Sequence, residues 1–342
     1  MSSAFVLLVM ARLRSFWREP SVLFWAFGFP IVLAVALGIA FRNRPPEPVD
    51  IVVETRCSDP IQKAVTTDPG LRGRVLPPPA AAEALRTGAV ALVVLCDGAE
   101  PTYRFDETRP EARLARLVVH EALERAAGRV DRPSPADIRV TEPGARYIDF
   151  LIPGLIGSNI MSAGLWGLGF TLVDMRVRNL LKRLAATPMK KRDFLASFVA
   201  VRALLICVEL PLLLVFARVA FGVTVQGSLP LLFAVCLLGS LVFAGFGVLV
   251  ASRAKNAQTV SGLINLVSIP MYLCSGVFFS AERFPPSVLP WARALPLTAL
   301  IDAMRGIMTE GHGLREVAPR MLVALLWGAG AFIVALRGFR WR

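Results

Sequence analysis

Along this 342-residue chain the apolar positions gather into long unbroken stretches instead of alternating at a short period. Six of them, near 22–41, 148–173, 194–217, 229–251, 258–279 and 318–337, are long enough to cross a hydrocarbon core of about 30 Å at about 1.5 Å per residue. The pattern predicts a polytopic α-helical membrane protein with six transmembrane helices. Ahead of the first stretch, Phe5, Leu8, Val9, Leu13 and Phe16 are set against Arg12, Arg14 and Arg18. That spacing fits an amphipathic helix lying along the membrane interface, and it also fits an extension of the first span. Glu19-Pro20-Ser21 breaks the pattern and starts the crossing helix, since proline suits a helix's first turn. The first run is too long for a signal-peptide core and no small-residue cleavage site follows it, so a retained anchor is expected.

The segment between the first two spans reads differently. Ile51 to Val53 and Ala89 to Leu95 are short apolar runs of strand length, with a further strand candidate at 101–106 and helix-like stretches at 59–66, 80–87 and 109–128. Pro45-Pro46 and Pro77-Pro78-Pro79 mark loops. The expected organisation is an interfacial helix and first span over 1–41, a small external α/β domain over 42–146, and spans two to six over 147–342 with a connecting loop at 174–193. Between 280 and 317, Phe284-Pro285-Pro286, Pro290-Trp291 and Pro296 interrupt an apolar stretch, which predicts a re-entrant or interfacial region in place of another crossing helix.

A hydrophobic content of 55% puts the chain outside the range of soluble domains. Its net charge of +13 raises nucleic acid as a partner, and the distribution of charge removes it. Residues 42–146 hold 16 basic and 16 acidic residues, so the excess belongs to the rest. It lies at Arg12, Arg14 and Arg18, at Arg176, Arg178, Lys182, Arg183, Lys190, Lys191 and Arg192, at Arg253 and Lys255, and at Arg337, Arg340 and Arg342. These sites flank alternate spans. Basic short flanks stay inside, which predicts cytoplasmic termini, cytoplasmic loops at 174–193 and 252–257, and an external or periplasmic 42–146. Cys207, Cys236 and Cys274 fall within spans as small apolar residues. Cys57 and Cys96 fall in the external segment, where an oxidising compartment permits a disulfide.

The chain has no G-x-x-x-x-G-K-[ST] phosphate loop and no Gly-Lys pair, so any ATP hydrolysis is expected on another chain. Two histidines, His120 and His312, form no H-E-x-x-H, and no G-x-S-x-G is present. No catalytic residue, metal site or bound cofactor is expected on the chain. Arg202 and Glu209, seven apart in the third span, share a helix face. They read either as a polar element of a translocation path or as a structural ion pair. Asp302 and Arg305 have the spacing of a local pair. Gly154, Ser158 and Ser162 form a stripe of small residues on the second span, suited to close packing within the chain or to a dimer seam. In the 174–193 loop, Leu180, Leu181, Leu184 and Ala185 interleave with basic residues before Thr187-Pro188. This fits a short amphipathic helix that docks a cytoplasmic partner, or a charged loop against acidic lipid heads.

Four groups of residues resemble the ABC-2 family of ABC exporter permeases. Arg18-Glu19-Pro20 and the apolar run to Pro30 resemble the family's Arg-acid-Pro entry into its first span. The run Leu181-Lys182-Arg183-Leu184-Ala185-Ala186-Thr187-Pro188 is similar to its Leu-Glu-Arg-Leu-Leu-Ala-Thr-Pro coupling segment. Pro270, Ser275-Gly276, Pro290-Trp291 and Pro296-Leu297-Thr298 resemble the succession around its fifth span, and the insertion at 42–146 resembles its external domain. The resemblance implies a dimer of six-helix permeases in a bacterial inner membrane, pairing with a second identical or related permease. Each would dock on an ATP-binding subunit that holds ATP and Mg, and would move an amphiphilic or hydrophobic substrate outward. It assigns docking to Arg178, Lys182, Arg183, Leu184, Thr187 and Pro188. Lys182 stands where the family commonly has Glu, and Arg178-Asn179 where it has Gly-Thr, so the docking surface is more basic than usual. The rival classes are an ion-coupled secondary transporter using Arg202 and Glu209, and a receptor or assembly protein reading a ligand through 42–146.

Overall fold

A computed structural model describes residues 3–40, 48–97, 101–129, 146–186, 191–254 and 256–338. The chain divides into a helical unit, residues 1–42 and 140–342, and a second unit, residues 43–139. The helical unit begins with α1 (Ser3–Arg18) and α2 (Pro20–Ala40). Glu19 is extended at φ −103°, ψ 98° and Pro20 opens the next helix, so α1 is a separate element and not an extension of the first span.

The second unit runs β1 (Val49–Glu54), α3 (Asp59–Thr67), β2 (Leu71–Leu76), α4 (Pro78–Arg86), β3 (Leu92–Leu95), β4 (Thr102–Phe105) and α5 (Pro110–Ala126). The sheet order is β2-β1-β3-β4, with β1 parallel to β2 and β3, and β4 antiparallel to β3. Central β1 is apolar on both faces because both are covered. Ile51 and Val53 pack with Val65 of α3 and Ala112, Ala115 and Val119 of α5, while Val52 packs with Val93 and Ala81 of α4. β2 has no counterpart in the sequence reading, because Leu-Arg-Gly-Arg-Val-Leu lacks an apolar run. It is an edge strand whose Arg72 and Arg74 are exposed. Gly73 lets α3 come down onto it, since a Cβ there would lie 2.7 Å from the Val65 carbonyl oxygen. The run from Ala89 enters the sheet only at Leu92. Cys57, just after β1, and Cys96, just after β3, form a disulfide that ties the carboxyl ends of two neighbouring parallel strands.

The helical unit resumes with α6 (Tyr147–Val177), α7 (Leu180–Ala185), α8 (Lys191–Phe221), α9 (Leu229–Arg253), α10 (Ala257–Cys274), α11 (Leu289–Ala294), α12 (Pro296–Glu310) and α13 (Leu314–Gly338). Among the described residues six helices are long and apolar enough to cross a membrane: α2, α6, α8 over Ala196–Phe221, α9, α10 and α13 over Leu314–Ala335. Burial separates them. In their most apolar stretches α6 and α9 are 72% and 61% buried, against 11% to 28% for the other four. The central pair meets backbone to backbone. α6 relaxes into π-helical turns over Ala163–Phe170, and there a Cβ on Gly164 would lie 2.6 Å from the Phe243 backbone, while one on Gly247 would collide with the Gly164 carbonyl. Small residues permit this approach where neither water nor side-chain volume separates the helices.

The fifth span is shorter than its apolar run, because α10 ends at Cys274 and Gly276 turns the chain with φ +71°. Val277 is apolar for another reason: it is fully buried against Gly154. In the region read as re-entrant or interfacial, short α11 leads into α12. At 15 residues and about 22 Å, α12 is too short to cross. Its Leu297, Leu300, Ile301, Met304 and Ile307 are fully buried, and it packs on α6, α9 and α13.

Candidate coupling surface and buried polar sites

The residues expected to dock a partner lie where α6 turns into α7. Asn179, the one non-glycine residue of positive φ (57°) among those described, makes that turn, a conformation that asparagine tolerates better than most. Arg178 Nε donates to Asp174 Oδ1 at 2.9 Å one turn back, and both side chains stay accessible. On α7, Leu181 is buried and Leu184 is half-buried against the main apolar core, whereas Leu180, Lys182 and Arg183 are exposed. The exposed surface is therefore Arg178, Leu180, Lys182 and Arg183. A polar substitution at Leu184 perturbs packing on the core together with the expected docking surface. Thr187 and Pro188 lie outside the described residues.

Two arginines that the sequence reading counted as flanking charge make specific contacts beside this region. Arg176 Nη1 donates to the carbonyls of Ala251 (2.8 Å) and Ala254 (3.1 Å), at the C-terminal end of α9, where a cation complements the helix's partial negative charge. Arg12 of α1 donates from Nε to Ser197 Oγ at 3.0 Å, and its guanidinium sits 3.2 Å from the Phe198 ring centroid. Burial lowers the Arg12 pKa to about 10, which leaves it charged at neutral pH. These contacts hold α1 to the first turns of α8, directly after the 187–190 segment.

Within the membrane-spanning helices, Arg202 Nη1 donates to Glu209 Oε1 at 2.8 Å. Glu209 lies about 20 Å along its span from Ala196, near mid-depth. It lines a small cavity with Asn159 of α6 and Cys236 of α9. Asn159 also donates to the Ala26 carbonyl of α2 at 3.2 Å. The small-residue stripe faces inward at both ends: Gly154 abuts Val277, and Ser162 Oγ lies 2.5 Å from the Tyr272 hydroxyl of α10. Ser158 Oγ bonds the Leu155 carbonyl of its own helix.

Asp302 and Arg305 do pair, at 3.3 Å, and Arg305 reaches further. It donates to the Gly276 carbonyl at 3.1 Å and lies 3.7 Å from the Phe150 ring centroid, joining α12, the turn after α10 and the start of α6. Arg146 is a comparable clasp. Its Nε and Nη2 bond both oxygens of buried Asp149 at 2.9 Å, and Nη1 donates to the Phe221 carbonyl that ends α8 at 2.8 Å. The Asp149 hydrogen bonds raise the Arg146 pKa above its ordinary value. The Arg-x-x-Asp spacing at the entry of the second span was the available signal for this pair. Its backbone acceptor 75 residues away gave none.

The chain is 29% identical over 189 residues to ABC transporter G family member 20 of Dictyostelium discoideum, a match covering 54% of this chain and 26% of that protein. It is 24% identical over 173 residues to the inner membrane transport permease YhhJ of Escherichia coli, covering 50% of this chain and 46% of the relative. The matched stretches thus span less than half of these relatives. The family model described as ABC-2 family transporter protein matches residues 20–337, and among the described residues six helices are fit for crossing a membrane, four of them lightly buried around the α6–α9 pair. The chain belongs to the ABC-2 family of transporter proteins.

Proposed function

We propose that this permease serves an exporter in which ATP hydrolysis on a separate cytoplasmic subunit drives a hydrophobic or amphiphilic substrate out of the cytoplasm or inner leaflet. The observation that carries the reading is the exposed basic surface of Arg178, Lys182 and Arg183. It sits on a short helix whose buried side packs on the core and whose base is fastened to α9 through Arg176. A partner gripping this surface pulls directly on the two most buried spans, which is what transmission between a nucleotide site and a membrane path requires. The basic flanks support a topology with both termini and α7 in the cytoplasm and residues 42–146 outside. The name of the Escherichia coli relative agrees with an inner-membrane location. In this reading a second permease, identical or related, completes the path, and membrane lipid seals the lightly buried outer helices.

The test is co-purification of the detergent-solubilised protein from its own cells, followed by mass spectrometry. The wild type should bring down a soluble chain bearing a phosphate loop. Lys182→Glu combined with Arg183→Glu should lose that chain by tenfold or more while membrane insertion is unchanged, because both side chains are exposed. Recovery of no nucleotide-binding chain with the wild type, or equal recovery with the variant, refutes the docking surface.

A further inference from the structure

Arg202 lies only six residues inside its span, about 9 Å from Ala196. An arginine at that depth ordinarily turns its head back to the nearer interface. This one reaches the other way, two helical turns deeper, to Glu209. The Glu209 bond occupies one guanidinium nitrogen, Nη1. Both Nε and Nη2 are buried and have no acceptor among the described residues. Those two nitrogens form the side edge of the guanidinium, where parallel N–H groups match two oxygens of a carboxylate or phosphate. Glu209 takes that bond through Oε1 and faces the small cavity shared with Asn159 and Cys236. The pair is neutral as a whole, and the two unengaged guanidinium nitrogens present a preformed fork to an oxyanion.

The surroundings say what that oxyanion is attached to. Around Glu209, the buried residues of α8 are Val201, Leu205, Ile206, Leu210 and Leu213, all aliphatic, and the cavity it lines adds Ile156 and Ile160, with Asn159 and Cys236 as its other polar members. A small hydrated anion gains nothing from such walls and loses its water, whereas an anionic group on a hydrocarbon body is suited to both. We propose that the free edge of Arg202 receives the carboxylate or phosphate of an anionic amphiphile, with Glu209 holding the guanidinium in position. The inference rests on the reading of this pair as part of the substrate path and narrows the substrate to amphiphiles bearing an oxyanion. The same chemistry is offered by a transported molecule and by an anionic phospholipid of the bilayer.

The test uses the full-length permease in phosphatidylcholine nanodiscs, with a pyrene-labelled fatty acid and its methyl ester as probes in mildly alkaline buffer. The wild type should bind the acid about tenfold or more tightly than the ester. Arg202→Gln with Glu209→Gln keeps the site neutral and should abolish the preference. Arg202→Lys keeps the charge but lacks the fork, and should weaken acid binding severalfold while leaving ester binding unchanged. Repeating the titration in discs containing phosphatidylglycerol identifies the source. Competition by the lipid assigns the site to a bilayer phospholipid, and undiminished binding assigns it to a transported amphiphile; either result supports the oxyanion site. Equal affinity for acid and ester in the wild type overturns the proposal, as does a preference that survives in the double glutamine variant or is undiminished in Arg202→Lys. No ATPase takes part, so a negative result here beside successful co-purification of a phosphate-loop chain removes the oxyanion site alone.

Discussion

Replacing Arg146 with alanine is the sharpest stability test that the structure offers. The guanidinium bonds both oxygens of a carboxylate that is 2% exposed and also caps the Phe221 carbonyl. Breaking a buried ion pair by deleting one partner costs about 3–5 kcal/mol, and losing a cation at a helix C-terminus about 0.3–1 kcal/mol more. Arg146 itself is one-third exposed, so solvent screening brings the expected total down to about 2–4 kcal/mol. Asp149→Asn keeps the shape and removes the charge, and should cost about 1–3 kcal/mol. Because both variants remove the same interaction, the double variant should cost less than the sum by about 1–3 kcal/mol. The Arg146 pKa is raised in the folded state, so its contribution is fully present below the unfolded arginine value and is lost only above it. The coupling should therefore be flat across the neutral range. The assay is denaturant unfolding of the four proteins in one detergent, followed by tryptophan fluorescence. Additivity within about 0.5 kcal/mol would show that the clasp is a surface pair of no energetic weight and would refute the reasoning.

Other outcomes follow from single contacts. Gly247→Ala should destabilise by about 1–3 kcal/mol in thermal unfolding, because the clashing neighbour is backbone and cannot turn away, whereas Gly262→Ala, facing open space, should be neutral or mildly stabilising. Removing the disulfide with Cys57→Ser and Cys96→Ser should cost the α/β unit about 4 kcal/mol on a loop-entropy estimate for 39 residues, seen as faster trypsin cleavage within 48–129; unchanged cleavage would contradict it. Arg12→Gln should loosen α1 from α8 by about 1–2 kcal/mol, read as about tenfold faster amide exchange across 3–18 with the spans unaffected.

What the sequence made legible depends on how local the deciding physics is. Six spans were readable because crossing a bilayer demands about 20 apolar residues in a row, a requirement each helix meets by itself. The Arg202–Glu209 pair was readable because both partners sit on one helix two turns apart. β2 was not, since its strand character comes from pairing with β1 and from α3 settling on Gly73, neither of which is written in Leu-Arg-Gly-Arg-Val-Leu. The apolar residues from Val277 to Phe279 resembled the end of a helix, yet Val277 is apolar because a turn is buried against α6. In α7 the helical period showed that leucines and basic residues segregate. Which leucine faced the core was not written in that period: Leu181 is buried, Leu184 half-buried and Leu180 exposed. Arg176, Arg12 and Arg146 all bond atoms far along the chain; the charge pattern registered the first two as flanking charge and counted Arg146 only within the balanced 42–146 segment.

The Gly164–Gly247 crossing sets a limit on how such a protein moves. Two helices separated by side chains can slide or twist as rotamers change, but two that touch through backbone have no such bearing between them and no slack to take up. α6 and α9 therefore behave as one girder. α7 is joined to the end of α6 and Arg176 rivets that end to α9, so a displacement at α7 is delivered to the girder whole. Shape change falls to α2, α8 and α10, each with most of its surface outside the core, which act as hinged panels around a fixed post; α13 stays with the post, since its Gly328 meets Val242 of α9 at the backbone.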